Sequence, residues 1–364
     1  MSIKDLTIHS VFGSYKVFFD EHLALLSPLF EETNVVFIID EKVFRLYKEI
    51  FQKIPLEKLV LIKANEGNKS YRSISKIYER LTSFKAKRNL TLVGIGGGII
   101  QDISGFVAST LYRGIKWIYC PTTLLAQSDS CIGAKTSLNF GKYKNLIGTF
   151  YPPDKVILSP LFLTTLSKKD FFSGMGEIVK LFLIDGEDSV NYYISLTQQK
   201  DYHFRKNIFP LIVKSLRIKK TFIEKDEFDK GIRNVLNFGH CIGHAIESIT
   251  NYRVPHGQAV TFGIIWANIL SVQKGFLTEE TSAHLFNSLL LPNISLKKEI
   301  ADINPQLIIN AMKKDKKREG EGLAIILMKE NYEFVKILDL TENEIVNSFN
   351  NFMFKFDVTS GKVK

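Results

Sequence analysis

Only three cysteines occur, Cys120, Cys131 and Cys241, and no CxxC pair or zinc-finger spacing links them. That rules out a disulfide framework and a cysteine metal knuckle, and predicts free, mostly buried thiols in a reducing compartment. No run of about 18 apolar residues exists. The longest candidate, "AVTFGIIWANIL", is short and interrupted by Asn268, so no membrane span is expected. The opening "MSIKDLTIHS" lacks the apolar centre of a secretory signal, and the expectation is a soluble, unexported, cytoplasmic protein. Internal repeats and low-complexity tracts are absent as well. Lysine and arginine (48) outnumber aspartate and glutamate (38), but apart from "KKDKKR" at 313–318 they are scattered. A net charge of +10 without a long basic block suggests affinity for anions: an anionic small substrate explains the excess, and nucleic acid is the weaker reading.

What is present suits a globular protein. A 45% hydrophobic share supplies a core, and 364 residues are long for one domain. The runs "NVVFIID" (34–40), "LVLIKA" (59–64), "LTLVGIG" (90–96) and "IKWIYCP" (115–121) read as buried strands of a parallel sheet. Segments of helical period, "EKVFRLYKEIF" and "YRSISKIYERLTSF", lie between them. The alternation predicts an α/β, Rossmann-like N-terminal domain, and the amphipathic stretches after about 171 predict a mainly α-helical C-terminal domain. The boundary falls within 152–170, giving an NAD-binding domain over 1–165 and a metal- and substrate-binding domain over 166–364.

"VGIGGGIIQDISGF" passes from strand to helix through Gly94, Gly96, Gly97 and Gly98. Without Cβ atoms, such a loop lets backbone N–H groups approach a pyrophosphate at a helix N-terminus. Ile99 stands where the third glycine of GxGxxG belongs, and Asp40, the acid suited to a ribose, precedes the loop. A tight strand-to-helix turn is the alternative reading.

Polar side chains gather in two further places. "PTTLLAQSDSCIGAKTSLNFGKYKN" holds Asp129, Lys135, Lys142, Lys144 and Asn145, and "SGMGEIVKLF" puts Glu177 and Lys180 three residues apart between apolar flanks. A surface ion pair is the ordinary reading of that spacing, but the flanks predict a pair facing a crevice. In "NVLNFGHCIGHAIESITNYRVPH" and just before it, Arg233, Asn237, His240 and His244 recur at spacings of four, three and four. These predict a polar stripe on one face of a helix or its start, with His256 following a bend. Two histidines and a carboxylate around an open position make a catalytic zinc-type site, and spacing alone favours His240 with His244 as the ligand pair. Ordinary hydrogen-bonded helix histidines remain the alternative.

Seven segments in order, "GGGIIQDISGF", "RGIKWIYCPTTLLAQSDSCIGAKTSLN", "YKNLIGTFY", "SGMGEIVK", "DEFDKGIRNVLNFGHCIGHAIE", "HGQAV" and "MKKDKK", resemble 3-dehydroquinate synthase, among the sugar phosphate cyclases. The resemblance covers 36 to about 330. It implies metal ligation by Glu177, His240 and His256, with Zn²⁺ or Co²⁺, and moves His244 to the substrate. It implies substrate contacts from Asp129, Lys135, Asn145, Lys180, Lys219, Arg233, Asn237 and His244, with Lys316 or Lys317 added by the "DKK" motif. Arg113 matches an arginine that reaches the phosphate site from the other subunit of a homodimer. For NAD the matching positions are Asp40, Glu66, Lys69, Gly96, Gly97, Gly98, Asp102, Thr122, Thr123, Lys135, Lys144, Phe162 and Thr165.

The implied reaction turns 3-deoxy-D-arabino-heptulosonate 7-phosphate into 3-dehydroquinate and phosphate, a carbon–oxygen lyase step of the shikimate pathway to aromatic amino acids. It proceeds by transient oxidation with NAD, phosphate elimination, reduction and aldol closure. The clustered cations match the charge of the departing phosphate and of a substrate carboxylate. Some positions depart from the family pattern: Gln101, Ala134 and Tyr143 stand where it has glycine, as does Asn65, and Gln258 stands where it has an acid. The alternatives are a sister cyclase such as 2-deoxy-scyllo-inosose synthase, which resembles "FEYGH" rather than "RNVLNFGH", and a metal-dependent polyol dehydrogenase. The dehydrogenase has little use for Lys135, Lys180, Lys219 and Arg233. A non-catalytic nucleotide or nucleic-acid binder stands further off.

Overall fold

All four apolar runs form strands in a computed structural model of the chain, which describes residues 4–84, 88–141, 143–199, 207–301, 303–313 and 323–356. The chain divides into two units, Met1–Leu166 with Lys219–Phe228, and Ser167–Ile218 with Asp229–Lys364. The stretch Lys219–Phe228, expected in the second domain, therefore groups with the first.

In the first unit the strands are β1 (Leu6–Ile8), β2 (Tyr15–Phe19), β3 (Val35–Asp40), β4 (Leu59–Ile62), β5 (Thr91–Gly96), β6 (Lys116–Pro121), β7 (Lys135–Phe140), β8 (Tyr143–Phe150) and β9 (Lys155–Leu158). Seven of them make one sheet in the order β1-β2-β9-β6-β5-β3-β4. It is parallel apart from the β1–β2 pair. Helices α1 (Glu41–Leu46), α2 (Lys48–Phe51), α3 (Tyr71–Ser83) and α4 (Gly98–Thr110) follow or join the strands, as a Rossmann-like α/β fold requires. Phe37, Ile39, Val93, Ile95, Ile118 and Ile157 form the buried centre of one core cluster. Because β3 and β5 are buried on both faces, they read as continuous apolar runs.

Register brings Gly96 beside Pro121, so the chain leaves β5 and β6 at the same edge of the sheet. Open α/β sheets bind ligands at this carboxyl edge. A Cβ on Gly94 would stand 2.6 Å from Ser104 Oγ, one on Gly96 2.4 Å from Ile100 Cγ1, and one on Gly97 2.9 Å from Thr123 Cγ2. Gly94 and Gly96 thus serve the close packing of α4, and Gly97 makes room for Thr123. Gly98 has nothing within 4 Å on that side, so its open face is the part of the loop that a ligand can use.

The polar segment after Pro121, read from the sequence as loops flanking strands, instead contains an antiparallel hairpin, β7–β8, with a register shift between Leu138 and Phe140. Alternation along "KTSLNF" (exposed, buried, intermediate, buried) is too short to stand out among its polar neighbours.

The second unit is mainly helical: α5 (Lys168–Asp185), α6 (Glu187–Thr197), α7 (Phe209–Lys225, whose last residues belong to the first unit), α8 (His240–Ile249), α9 (His256–Gln273), α10 (Glu279–Leu285), α11 (Pro305–Lys313) and α12 (Glu342–Phe354). It also carries an antiparallel pair not expected from the sequence, β10 (Leu323–Met328) and β11 (Phe334–Leu340). Helix α9 is buried from Gly257 to Ser271 and apolar all round, the mark of a central helix. Trp266 stacks on Phe352 of α12 at 4.6 Å and donates to Ser348 Oγ at 2.7 Å. None of the described helices is long and apolar enough to cross a membrane.

The three cysteines are free, with Cys120 and Cys131 buried and Cys241 half-buried. Burial raises both core thiols, Cys131 to about 12. At pH 8 these two stay protonated and enclosed, and deprotonation begins to favour reaction only as pH nears that value. A disulfide-exchange titration of the native protein should therefore count one reactive thiol, Cys241, and three after denaturation. Two fast thiols in the native state would contradict this packing.

Candidate active site

Three helices of the second unit each deliver one side chain to a single place: Glu177 from the middle of α5, His240 from the first residue of α8 and His256 from the first residue of α9. Each has a glycine beside it, and those glycines let the backbones touch. A Cβ on Gly176 would stand 2.0 Å from Gly257 O, and one on Gly257 1.7 Å from Ser173 O. Gly239, at φ +76°, has the left-handed geometry glycine tolerates, and a Cβ there would meet Val260 O at 2.7 Å.

The polar stripe expected along one helical face does not exist as such. Arg233 and Asn237 lie in a 3₁₀ segment, Ile232–Asn237, and the left-handed Gly239 breaks the run before α8 begins. Even so, the ring nitrogens of His240, His244 and His256 lie within 4.8 Å of one another. His244, one turn along α8 from His240, therefore stands with the other two as a group that could hold a metal ion.

Glu177 is 1% exposed. Its Oε2 accepts from Lys180 Nζ at 2.5 Å, and its Oε1 has no hydrogen-bond partner. That oxygen lies 3.2 Å from His256 Nε2 and 3.8 Å from His240 Nε2. A buried carboxylate oxygen is rarely left in this condition, because stranding it costs about 1–3 kcal/mol or more. One anionic oxygen and two imidazole nitrogens turned toward one point are the donor set of a divalent metal, so these residues fit Zn²⁺ or Co²⁺.

The other ring nitrogens are spoken for. His240 Nδ1 lies 3.2 Å from Phe238 O, which the Nδ1–H tautomer satisfies, leaving Nε2 its lone pair. His256 Nδ1 lies 2.9 Å from Glu247 Oε2 in α8. Glu247 escaped the reading of the sequence, although its place three residues after His244, on the same turn-to-turn face, was a usable signal. A carboxylate behind a ligating histidine fixes tautomer and ring orientation.

Electrostatics sorts the three groups. Burial opposes the charge on Glu177, but Lys180 and the two imidazoles hold its carboxyl well below the usual range. Burial, helped by Lys180, keeps His240 well below its ordinary value, hence neutral and ready as a ligand. Burial also works against charge on His256, yet Glu177 and Glu247 outweigh it and push the ring up to about 10.

Gln258, where the family pattern has an acid, is fully buried and fully bonded. Nε2 donates to Phe172 O and Asn293 O at 3.0 and 2.7 Å, and Oε1 accepts from Ser295 N at 2.8 Å. A carboxylate could not donate to those two carbonyls, so the amide suits this position.

The first unit groups the remaining candidates in three sets. Lys219 Nζ binds Asp129 twice, at Oδ1 (3.0 Å) and at the backbone carbonyl (2.7 Å). Lys69 Nζ bridges Asp102 Oδ2 (2.5 Å) and Asn145 Oδ1 (2.6 Å), and Ser137 Oγ, with one proton to donate, lies within hydrogen-bonding distance of both Asp102 Oδ1 (3.1 Å) and Asn145 Oδ1 (3.0 Å). Asn145 holds φ +51°, a cost accepted where surrounding bonds over-determine it. Glu66 takes Lys144 Nζ at 3.1 Å and Asn139 Nδ2 at 2.8 Å. Asp40 caps α1, its Oδ1 accepting from Lys42 N at 3.1 Å. Thr122 N donates to Gly96 O at 3.0 Å, Thr123 Oγ1 accepts from Ala126 N at 3.2 Å, and Thr165 Oγ1 meets Tyr47 Oη at 2.9 Å.

Phe162 packs in the core against Tyr47 and Phe51. Arg113 is exposed on a left-handed turn with Tyr112, and Lys135 is exposed at the start of β7. Lys142, Lys316 and Lys317 fall outside the described residues.

Comparison with known proteins agrees across the length of the chain. Residues 59–173 match the family model described as 3-dehydroquinate synthase N-terminal, and residues 174–318 the one described as 3-dehydroquinate synthase C-terminal. The 3-dehydroquinate synthase of Streptococcus pyogenes serotype M6 is 32% identical over 353 residues, 92% of this chain and 98% of its own. In fold, the chain is similar to a 2-deoxy-scyllo-inosose synthase solved with carbaglucose-6-phosphate, NAD⁺ and Co²⁺, at TM-score 0.79 and 24% identity over 96% of this chain and 99% of that one. It is also similar to the 2-epi-5-epi-valiolone synthase of Streptomyces hygroscopicus subsp. jinggangensis solved with NAD⁺ and Zn²⁺, at TM-score 0.78 and 24% identity over 97% and 98%.

Replacing Glu247 by alanine should weaken Zn²⁺ or Co²⁺ binding by roughly 10- to 100-fold while the fold is kept. Competition with a chromophoric chelator, alongside circular dichroism, measures both. An affinity within twofold of the parent would mean that Glu247 does not hold His256.

Proposed function

The chain belongs to the 3-dehydroquinate synthase family, and we propose that it converts 3-deoxy-D-arabino-heptulosonate 7-phosphate into 3-dehydroquinate and phosphate. The observation that carries this reading is the unpartnered, buried Oε1 of Glu177 facing the Nε2 atoms of His240 and His256. When bound, a divalent metal polarises a substrate hydroxyl, and NAD takes up and later returns a hydride.

The chain's own side chains do the rest. Glu177, His240 and His256 hold the metal, and Lys180 keeps the Glu177 carboxylate ionised and oriented. Arg233, 7% exposed, has the fork that suits a phosphate or carboxylate, and its low exposure supports a role inside the site rather than on the surface. Asn237, His244, Lys135 and a lysine of the "DKK" motif also bind substrate. Lys219 takes substrate charge, with Asp129 setting its position. Asn145 orients a substrate hydroxyl from the end of the Lys69 bridge. Toward NAD, the open face of Gly98, with Gly96 and Gly97, receives the pyrophosphate at the start of α4. Asp40, Glu66, Lys69, Asp102, Thr122, Thr123, Lys144 and Thr165 surround the rest of the cofactor.

The protein works as a homodimer in the cytoplasm, where Arg113, exposed on its left-handed turn, reaches the partner's phosphate site. Its place is the shikimate pathway to aromatic amino acids.

Purified protein given the heptulosonate phosphate, Co²⁺ or Zn²⁺ and NAD⁺ at catalytic concentration should release phosphate and dehydroquinate over many turnovers, with no lasting NADH absorbance at 340 nm. Chelation should abolish the activity and either metal restore it. Accumulating NADH without phosphate would replace this reading with a dehydrogenase. Phosphate release that survives verified metal removal would refute the role given to Glu177.

A further inference from the structure

Gln101 lies in the first turn of α4, 8% exposed, on a helix otherwise buried through apolar residues such as Ile100 and Ile103. Its amide is bound twice to one residue. Nε2 donates to Ser130 O at 2.5 Å, and Ser130 Oγ donates back to Oε1 at 2.6 Å. Ser130 ends a short π-helical turn, Ala126–Ser130, and the residue before it is Asp129. Turns of this kind are wider and less stable than α-helix, and they collect at functional sites. Further bonds hold this turn: Gln127 Nε2 donates to Pro121 O and Ser159 O at 3.0 and 2.7 Å. Asp129 in turn carries Lys219 on its carboxylate and its carbonyl.

We propose that Gln101 is a positioning residue: it latches α4 to the π-turn and so fixes the Asp129–Lys219 pair relative to the glycine loop. The reciprocal geometry is the ground for it. The amide and the Ser130 hydroxyl and carbonyl use matched donors and acceptors, so removing the Gln101 side chain takes both bonds from half-buried Ser130, and removing the Ser130 hydroxyl leaves Oε1 of the buried Gln101 unmatched. Glycine, which the family pattern has here, makes no such bond, so the latch is a property of this chain's own residue. Simple packing of α4 does not need it, because Ile100 and Ile103 are already fully buried. The proposal rests on the reading that Asp129 and Lys219 serve the substrate.

Gln101→Ala, Ser130→Ala and the double variant test it by two measurements. Hydrogen exchange of the backbone amides at 126–131 should quicken at least tenfold in Gln101→Ala, whatever the enzyme acts on. In steady-state assays on the heptulosonate phosphate, kcat/KM should fall roughly 10- to 100-fold, since small misplacements of catalytic groups cost that much. The double variant should be no worse than the poorer single, as expected of one shared interaction. Unchanged exchange overturns the latch. Faster exchange with kcat/KM within threefold of the parent overturns its positioning role, and so do losses that multiply in the double variant. Should Gln101→Ala not fold, Ser130→Ala, which removes only the hydroxyl bond, takes its place in both measurements. A parent protein with no activity on this substrate would count against the proposed function alone, and the exchange result would still decide the latch.

Discussion

The second unit is organised around the carboxylate of Glu177. It is buried almost completely, and an ion without water needs compensation from every side. Lys180 supplies it at one oxygen, from the next turn of the same helix. The other oxygen has two imidazole nitrogens in front of it, His256 Nε2 at 3.2 Å and His240 Nε2 at 3.8 Å. The division of labour is chemical. The lysine keeps the group ionised, and ionisation makes the second oxygen a hard donor suited to a divalent cation. Glu247 extends the same logic outward, because its charge settles which nitrogen of His256 points inward.

That convergence depends on how closely the helices approach. Ordinary packing leaves 8–10 Å between helix axes, the spacing side chains impose. At Gly176 and Gly257, and again at Gly239, the backbone of one element fills the place where a Cβ would be. The ligands sit directly beside those contacts in sequence. Side chains too short to span a wider gap therefore meet, and they do so with little freedom, since the backbone contact allows almost no sliding.

In the first unit, charge is arranged differently. Lysines are shared between partners, Lys69 between Asp102 and Asn145, and Lys219 between the carboxylate and carbonyl of Asp129. Positive charge held by protein acceptors in this way stays localised and oriented, while the pairing limits its repulsion of neighbouring cations. The glycines before α4 mostly make room for the helix itself, which explains why their pattern departs from GxGxxG. They answer to Ser104, Ile100 and Thr123 before they answer to any ligand.

Much of this was legible in the residues alone. Apolar runs mark the parallel strands because burial on both faces removes the alternation that would disguise them. The long apolar α9 shows itself for the same reason. The hairpin β7–β8 and the pair β10–β11 do not, since exposed strands share their composition with loops. Spacing could group His240 with His244, because a helix turn is local. It could not bring His256 to the pair, nor find Glu247, because those meetings depend on how separate helices pack. Sequence by itself determined which side chains had the chemistry and which elements would carry them. Only the tertiary structure decided which atoms meet: that Glu177 turns one oxygen to Lys180 and the other to two imidazoles, and that Gln101 reaches Ser130. Short-range order follows from backbone periodicity, whereas the meeting of distant side chains follows from packing that no periodicity encodes.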